Sequence, residues 1–346
     1  MTRNWAAAIA ALAGAALPLT GMADAAPDQP APAVAERFAP GGDNGWDYLS
    51  YDAASNRLFI SRADHVQVMD GASGKAVGEI PGTDGVHGVA LVPQLNKGFT
   101  SNGKANSVTV FALDSLKLLR QIPLKGSKPD AIIYDPASRH VLAFNGKSNS
   151  LDVIDPAAET LLASVPMPGR SEFAAADGQG RVYVNLEDKG QVSAIDSLAN
   201  KVLATWSLGA CEEPSGLALD AAHQRLFSVC QNHKMVVLDT ASGKPVAEVP
   251  IGAGPDAAAY DAATGLVYAS NEDGTLTVVK EDAPDRFRVI ANVPTQKSAR
   301  TLALDSAGRR VFLAAAEFGP PPAATPEHPH PRPAIVPGSF RILVVR

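Results

Sequence analysis

The local signatures of enzymatic machinery are missing from this sequence. It holds no H-E-x-x-H, no C-x-x-C, no G-x-S-x-G and no glycine-rich phosphate loop, so local motifs support neither hydrolytic nor nucleophilic chemistry. Lysine and arginine do not cluster, and the formal net charge is −6. That balance argues against nucleic acid as a partner and favours a ligand carrying positive charge. After the first 25 residues no apolar run is long enough to span a membrane, which takes about 20 residues. Cysteine is reduced to Cys211 and Cys230. What remains is ordinary globular material, 46% hydrophobic and 19% charged, sufficient for a sizeable core.

Residues 1–25 read as a secretory signal peptide. Arg3 supplies a positive start, residues 5–19 (WAAAIAALAGAALPL) an apolar stretch, and Ala23-Asp24-Ala25 a small-x-small cleavage site. Residues 26–33 read as a flexible leader and residues 34–346 as one domain. The expected product is a soluble periplasmic protein, monomeric and without a membrane span.

The dominant signal is a repeat. The phrases SKPDAIIYDP (127–136) and AGPDAAAYDA (253–262) place Asp130 and Asp256 in one register, three periods of 42 residues apart. Aligned on that phrase, one position is occupied in turn by Asp47, His87, Asp130, Glu172, Ser215, Asp256 and Arg300, at spacings of 40, 43, 42, 43, 41 and 44. Each unit offers four short strands separated by Gly/Asn/Asp turns, the pattern of a small antiparallel sheet. Repetition of such sheets about every 40 residues spells an all-β, seven-bladed β-propeller. Pro81, Pro123, Pro166, Pro250 and Pro294 recur in the fourth strand, where a missing N–H is tolerated only at an edge. The fourth strand is therefore outermost and the small-residue first strand innermost. The seventh unit ends at a third strand, SFRILVVR, and VAERFAPGG (34–42) matches the missing fourth. The N-terminal strand is thus expected to complete the last blade and close the ring, hiding edges that would otherwise pair with other chains.

The repeat phrase, together with strands such as SVTVFAL and SLDVID and the IPLKG type of ending, resembles the YVTN-repeat, YncE-like β-propellers of bacterial periplasms. The resemblance covers about residues 34–346 and implies fold and compartment. It does not imply an activity, because propellers host many unrelated functions.

Two aspartates of the phrase behave differently. The second recurs as Asp52, Asp135, Asp177, Asp220, Asp261 and Asp305, where an Asp bonds its own turn backbone. The first position varies as no turn requires, and the propeller gathers its seven side chains around the mouth of the central channel. Four carboxylates and one imidazole there repel or compete for protons unless a cation, or Arg300, offsets them. Asp47, His87, Asp130, Glu172, Ser215, Asp256 and Arg300, with neighbouring Glu213, are the candidate ligand ring. His87 with Asp47 and Asp130 is the candidate set for a divalent metal; a hard cation such as calcium needs about six to eight oxygens, and neighbouring rather than opposite blades are placed to supply them. Arg300 beside Asp256 is equally a plain salt bridge.

Loops between second and third strands share this mouth and carry Glu187 and His233. Glu172, Glu212, Glu213 and His87 are the residues from which an acid–base site could assemble. The seventh such loop, 317–338, holds eight prolines in 22 residues and reads as a stiff lid bringing His328 and His330 towards the ring. Cys211 and Cys230 fall on antiparallel neighbours within disulfide reach. Three functions fit: a non-catalytic binder of a small cationic molecule, metal or peptide; a protein-interaction platform; and a metal-assisted lyase or hydrolase.

Overall fold

The computed structural model describes residues 1–2, 31–324, 331 and 333–346. Expectations for the signal peptide, and for His328 and His330, fall on residues outside this set. The described residues form seven four-stranded antiparallel sheets, a seven-bladed propeller. In each blade the strands run in sequence order from the channel outwards; in the last they run Thr301–Asp305, Arg310–Ala315, Arg341–Val345 and then Val34–Phe38. The N-terminal strand pairs with the C-terminal one, Phe38 opposite Ile342 and Val34 opposite Val345, so the ring closes as the repeat requires.

The edge position of proline is borne out. Outer strands Leu118–Pro123, Thr160–Pro166, Lys244–Pro250 and Arg286–Pro294 all end on it. The outer strands are largely exposed, with a strict alternation of exposed and half-buried residues in Thr160–Pro166 and Lys201–Ser207, whereas a middle strand such as His140–Asn145 is buried on both faces. That contrast follows from stacking, because each blade lies between two others and only its rim meets water. Core clusters accordingly bridge adjacent blades. Phe59 of the first blade meets Phe111 of the second, and Phe227 of the fifth meets Tyr260 of the sixth.

The turn aspartates behave as read. Asp52, Asp135, Asp220 and Asp261 each accept a hydrogen bond from the backbone N–H two residues on. Cys211 and Cys230 are joined in a disulfide, with Cα atoms 5.4 Å apart across 19 residues. Among the described residues no helix is long and apolar enough to cross a membrane.

Arg62 fastens the closure. Its fully buried guanidinium donates to the carbonyls of Gly41, Gly42, Asn44 and Gly45 and to Gln67, and lies over the ring of Phe340, 3.8 Å from its centroid. Burial lowers its pKa to about 10, the charges of Asp43 and Asp64 opposing. The segment from the closing strand into the first blade, which delivers Asp47, is thereby held to the blade wall.

Candidate functional site

The ring residues stand at the channel-side starts of the inner strands. His87, Asp130, Glu172, Ser215 and Asp256 are each the second residue of theirs, while Asp47 and Arg300 lie just before Leu49–Asp52 and Thr301–Asp305. Their backbones are tied from blade to blade. Tyr48 N–H donates to His87 O (3.2 Å), Asn185 Nδ2 to Ser215 O (2.7 Å), Ser101 Oγ to Asp130 O and Ser270 Oγ to Arg300 O. With the main chain fixed by these bonds, the variable side chains are presented to one another in a constant geometry.

Two groupings result. His87 Nδ1 lies 2.6 Å from Asp47 Oδ2 and 3.5 Å from Asp130 Oδ1, so three consecutive blades bring one imidazole and two carboxylates together. One ligand atom from each of the three lies within 4.8 Å of the others. Asp256 pairs with Arg300 at 3.2 Å, as the sequence suggested. Between the groupings stands Tyr48, whose hydroxyl donates to Glu172 Oε1 at 3.3 Å and whose ring meets Phe173 edge-on at 5.1 Å. The first and fourth blades therefore touch across the channel. One aromatic side chain thus bridges blades that do not adjoin in the ring.

Burial and mutual repulsion set the electrostatics. Asp130 is pushed up to about 6, chiefly by burial, with the charge of Asp47 adding and that of His87 opposing. Asp256 is pushed up to about 6 for the same first reason, against the pull of Arg300. Glu172 rises well above its ordinary range through burial and then the charge of Asp130. For His87, burial works against the charged form, yet the hydrogen bond to Asp47 and the charges of Asp130 and Asp47 prevail and raise it. Arg300 is raised, first by Asp256. The Tyr48 phenol is raised by burial and by the carboxylates around it. Burial and the mutual repulsion of the carboxylates favour their protonated forms, with Arg300 opposing at Asp256.

Other expected residues stand apart from this cluster. Ser215 is buried and donates to Pro255 O at 2.8 Å, serving the contact between the fifth and sixth blades. Glu212 and Glu213 are exposed on the loop before Pro214–Asp220, and Glu213 occupies a left-handed turn position (φ 44°). Glu187 pairs with Arg170 at 2.6 Å. His233 is an exposed residue with φ 63° in a tight turn. The base of loop 317–338 is defined by a bridge between Phe318 and Ile335, and Phe318 packs on Trp46, next to Asp47.

Tyr48 and Phe173 were missed, although a signal exists. The position after the ring residue reads Tyr48, Gly88, Ala131, Phe173, Gly216, Ala257 and Thr301. Two aromatics among small residues mark side chains that fill the axis, while small neighbours make room. A Cβ on Gly88 would stand 3.5 Å from the Tyr48 ring.

No family model matches the chain. It is 26% identical over 186 residues to the uncharacterized protein YncE of Salmonella typhi and, equally, to that of Salmonella typhimurium, covering 52% of this chain and 52% of theirs. The chain thus spans about half the length of the curated relatives it matches. Among solved structures it is similar to Kuenenia stuttgartiensis hydrazine synthase (TM-score 0.70, 17% identity, 79% of this chain and 93% of that one). It is also similar to the WD40 repeats of RRP9 (TM-score 0.76, 12% identity, 91% of this chain and 99% of that one). At these identities the likeness is one of fold.

Proposed function

We propose that this chain is an exported, non-catalytic binding propeller that holds a divalent metal ion at the channel mouth, on Asp47, His87 and Asp130. The carrying observation is that an imidazole nitrogen and two carboxylates from three successive blades lie within 4.8 Å of one another. Glu172 and Asp256, half-buried nearby, add negative potential without touching the ion, and Arg300 neutralises one of them. Export rests on the reading of residues 1–25; a disulfide and the similarity to YncE accord with an oxidising compartment.

One nitrogen and two oxygens suit a first-row divalent ion better than calcium. The metal replaces the proton that His87 otherwise shares with the two carboxylates, so affinity rises with pH. A ligand that binds only the folded state at 100 times its Kd stabilises by about 2.7 kcal/mol. The test is thermal shift at pH 7.5 with zinc, manganese, calcium and cationic organic molecules, on the native protein and on Asp130→Asn/Asp256→Asn. Zinc or manganese should raise the native melting temperature and have a smaller effect on the double variant. If nothing shifts the native protein, or if the double variant responds equally, the ring is a hydrated channel mouth and an interaction surface becomes the better reading.

A further inference from the structure

We propose that Asp220, His223 and Glu281 form a second, independent site for a first-row divalent metal ion such as zinc, at the end of the propeller opposite the funnel. Asp220 closes the inner strand Pro214–Asp220, His223 lies in the turn that follows, and Glu281 comes from the third strand of the next blade, Thr275–Ala283. His223 Nδ1 is 2.5 Å from Asp220 Oδ2 and 4.0 Å from Glu281 Oε1. Ligands about 2.1 Å from a tetrahedral zinc stand about 3.4 Å from one another, a value these separations bracket.

Two departures from the repeat meet here. The turn aspartate is general, and the residue three positions later satisfies its second oxygen, through the hydroxyls of Ser55 in the first blade and Thr264 in the sixth and through the backbone N–H of Ser138 in the third. In the fifth blade that position is His223, the one member of this series able to bind a metal. Asp220 still makes the turn through Oδ1, which accepts from Ala222 N–H at 3.0 Å and His223 N–H at 3.3 Å, leaving Oδ2 for a ligand role. The second departure is the sixth-blade hairpin. Its outer two strands run to nine residues each, and the extension carries Glu281 and Asp285 towards the fifth blade.

Glu281 points to a ligand. Its side chain is 3% exposed, yet neither carboxylate oxygen has a hydrogen-bond partner. An unpartnered buried carboxylate is expensive, and native structures rarely keep one without a use. The Tyr260 phenol lies beside both acids and is raised first by burial and then by Glu281 and Asp220, but neither Glu281 oxygen accepts a hydrogen bond from it. The guanidinium of Arg225, in the same two blades, is committed elsewhere, to Asp239 at 2.5 Å, Asp285 at 2.8 Å and Pro284 O at 2.6 Å. His223 is half exposed and provides both the entry path and room for a water to complete the coordination.

The test uses the full chain carrying Asp47→Asn/His87→Ala, so that the funnel reading and this one fail separately. Zinc is titrated calorimetrically, and cobalt is added as a spectroscopic probe of coordination, to that protein and to the same protein with His223→Ser or Glu281→Gln. His223→Ser restores the residue type of Ser55 and Ser138, so the turn is kept. The funnel-disabled protein should bind one zinc and give a cobalt absorption band. Each further substitution should weaken zinc at least tenfold and abolish the band. Absence of zinc binding in the funnel-disabled protein overturns the proposal, and so does binding that either substitution leaves unchanged.

Discussion

Tyr48 of the first blade donates its hydroxyl hydrogen to Glu172 of the fourth, Oη to Oε1 3.3 Å, across the central channel. Tyr48 is only 8% exposed. Truncation in Tyr48→Ala should cost about 3–5 kcal/mol, the range for large aromatic side chains in cores. Tyr48→Phe should cost only about 1 kcal/mol, the hydrogen bond alone. Denaturant melts measure both; equal losses would mean that the ring packing carries nothing.

Stability should depend on pH through the ring. Asp130 and Asp256 rise from 3.8 to about 6 in the folded state. For a raised acid the folded form is favoured while it keeps its proton, so this contribution is complete below about pH 4 and is lost as pH rises through about 6. Two groups shifted by about two units account for up to about 3 kcal/mol each. His87, also raised, extends the loss above 6.5. Lowered acids such as Asp70 and Asp239 act with the opposite sign, but below 3.8. Metal-free Asp130→Asn/Asp256→Asn should therefore gain melting temperature over the native protein progressively from pH 4.5 to pH 7. A constant difference across that range would contradict the assignment.

Deleting residues 26–42 removes the strand paired with Arg341–Val345 and two of the four carbonyls that Arg62 holds, those of Gly41 and Gly42. The deletion should lower the melting temperature sharply. Arg62→Ala in the full chain should cost more than about 3 kcal/mol, because buried carbonyls lose their charged donor. Unchanged melting of the deleted protein would refute closure by the N-terminal strand.

The disulfide closes a 19-residue separation between Cys211 and Cys230. In the loop-closure picture it adds about 3 kcal/mol. Unreduced, denatured protein should show no free thiol, and reduction should lower the melting temperature. Two free thiols per chain would refute the bond.

Much of this was legible in the sequence, for identifiable reasons. The repeat of Asp130 and Asp256 fixed seven blades, and outer-strand proline fixed their direction, because a ladder cannot lose an N–H except at an edge. The pairing of Asp256 with Arg300 and the grouping of Asp47, His87 and Asp130 followed from register alone. Reach was not legible. Alignment equates Ser215 with Asp130, yet a serine is too short to leave the wall and bonds Pro255 instead. Tyr48 is long enough to cross the channel, and nothing in blade order says so. Arg62 escaped notice because its partners are backbone carbonyls, which any sequence supplies. Glu281 escaped because its neighbours come from another blade's turn.

The central claim is that a divalent metal sits on Asp47, His87 and Asp130. Crystals grown with zinc and measured at the zinc absorption edge test it most directly. An anomalous peak within about 2.0–2.2 Å of His87 Nδ1 and of an oxygen from each of the two aspartates is the predicted result. A map with no peak at the channel mouth, at a zinc concentration that saturates the thermal shift, would contradict it.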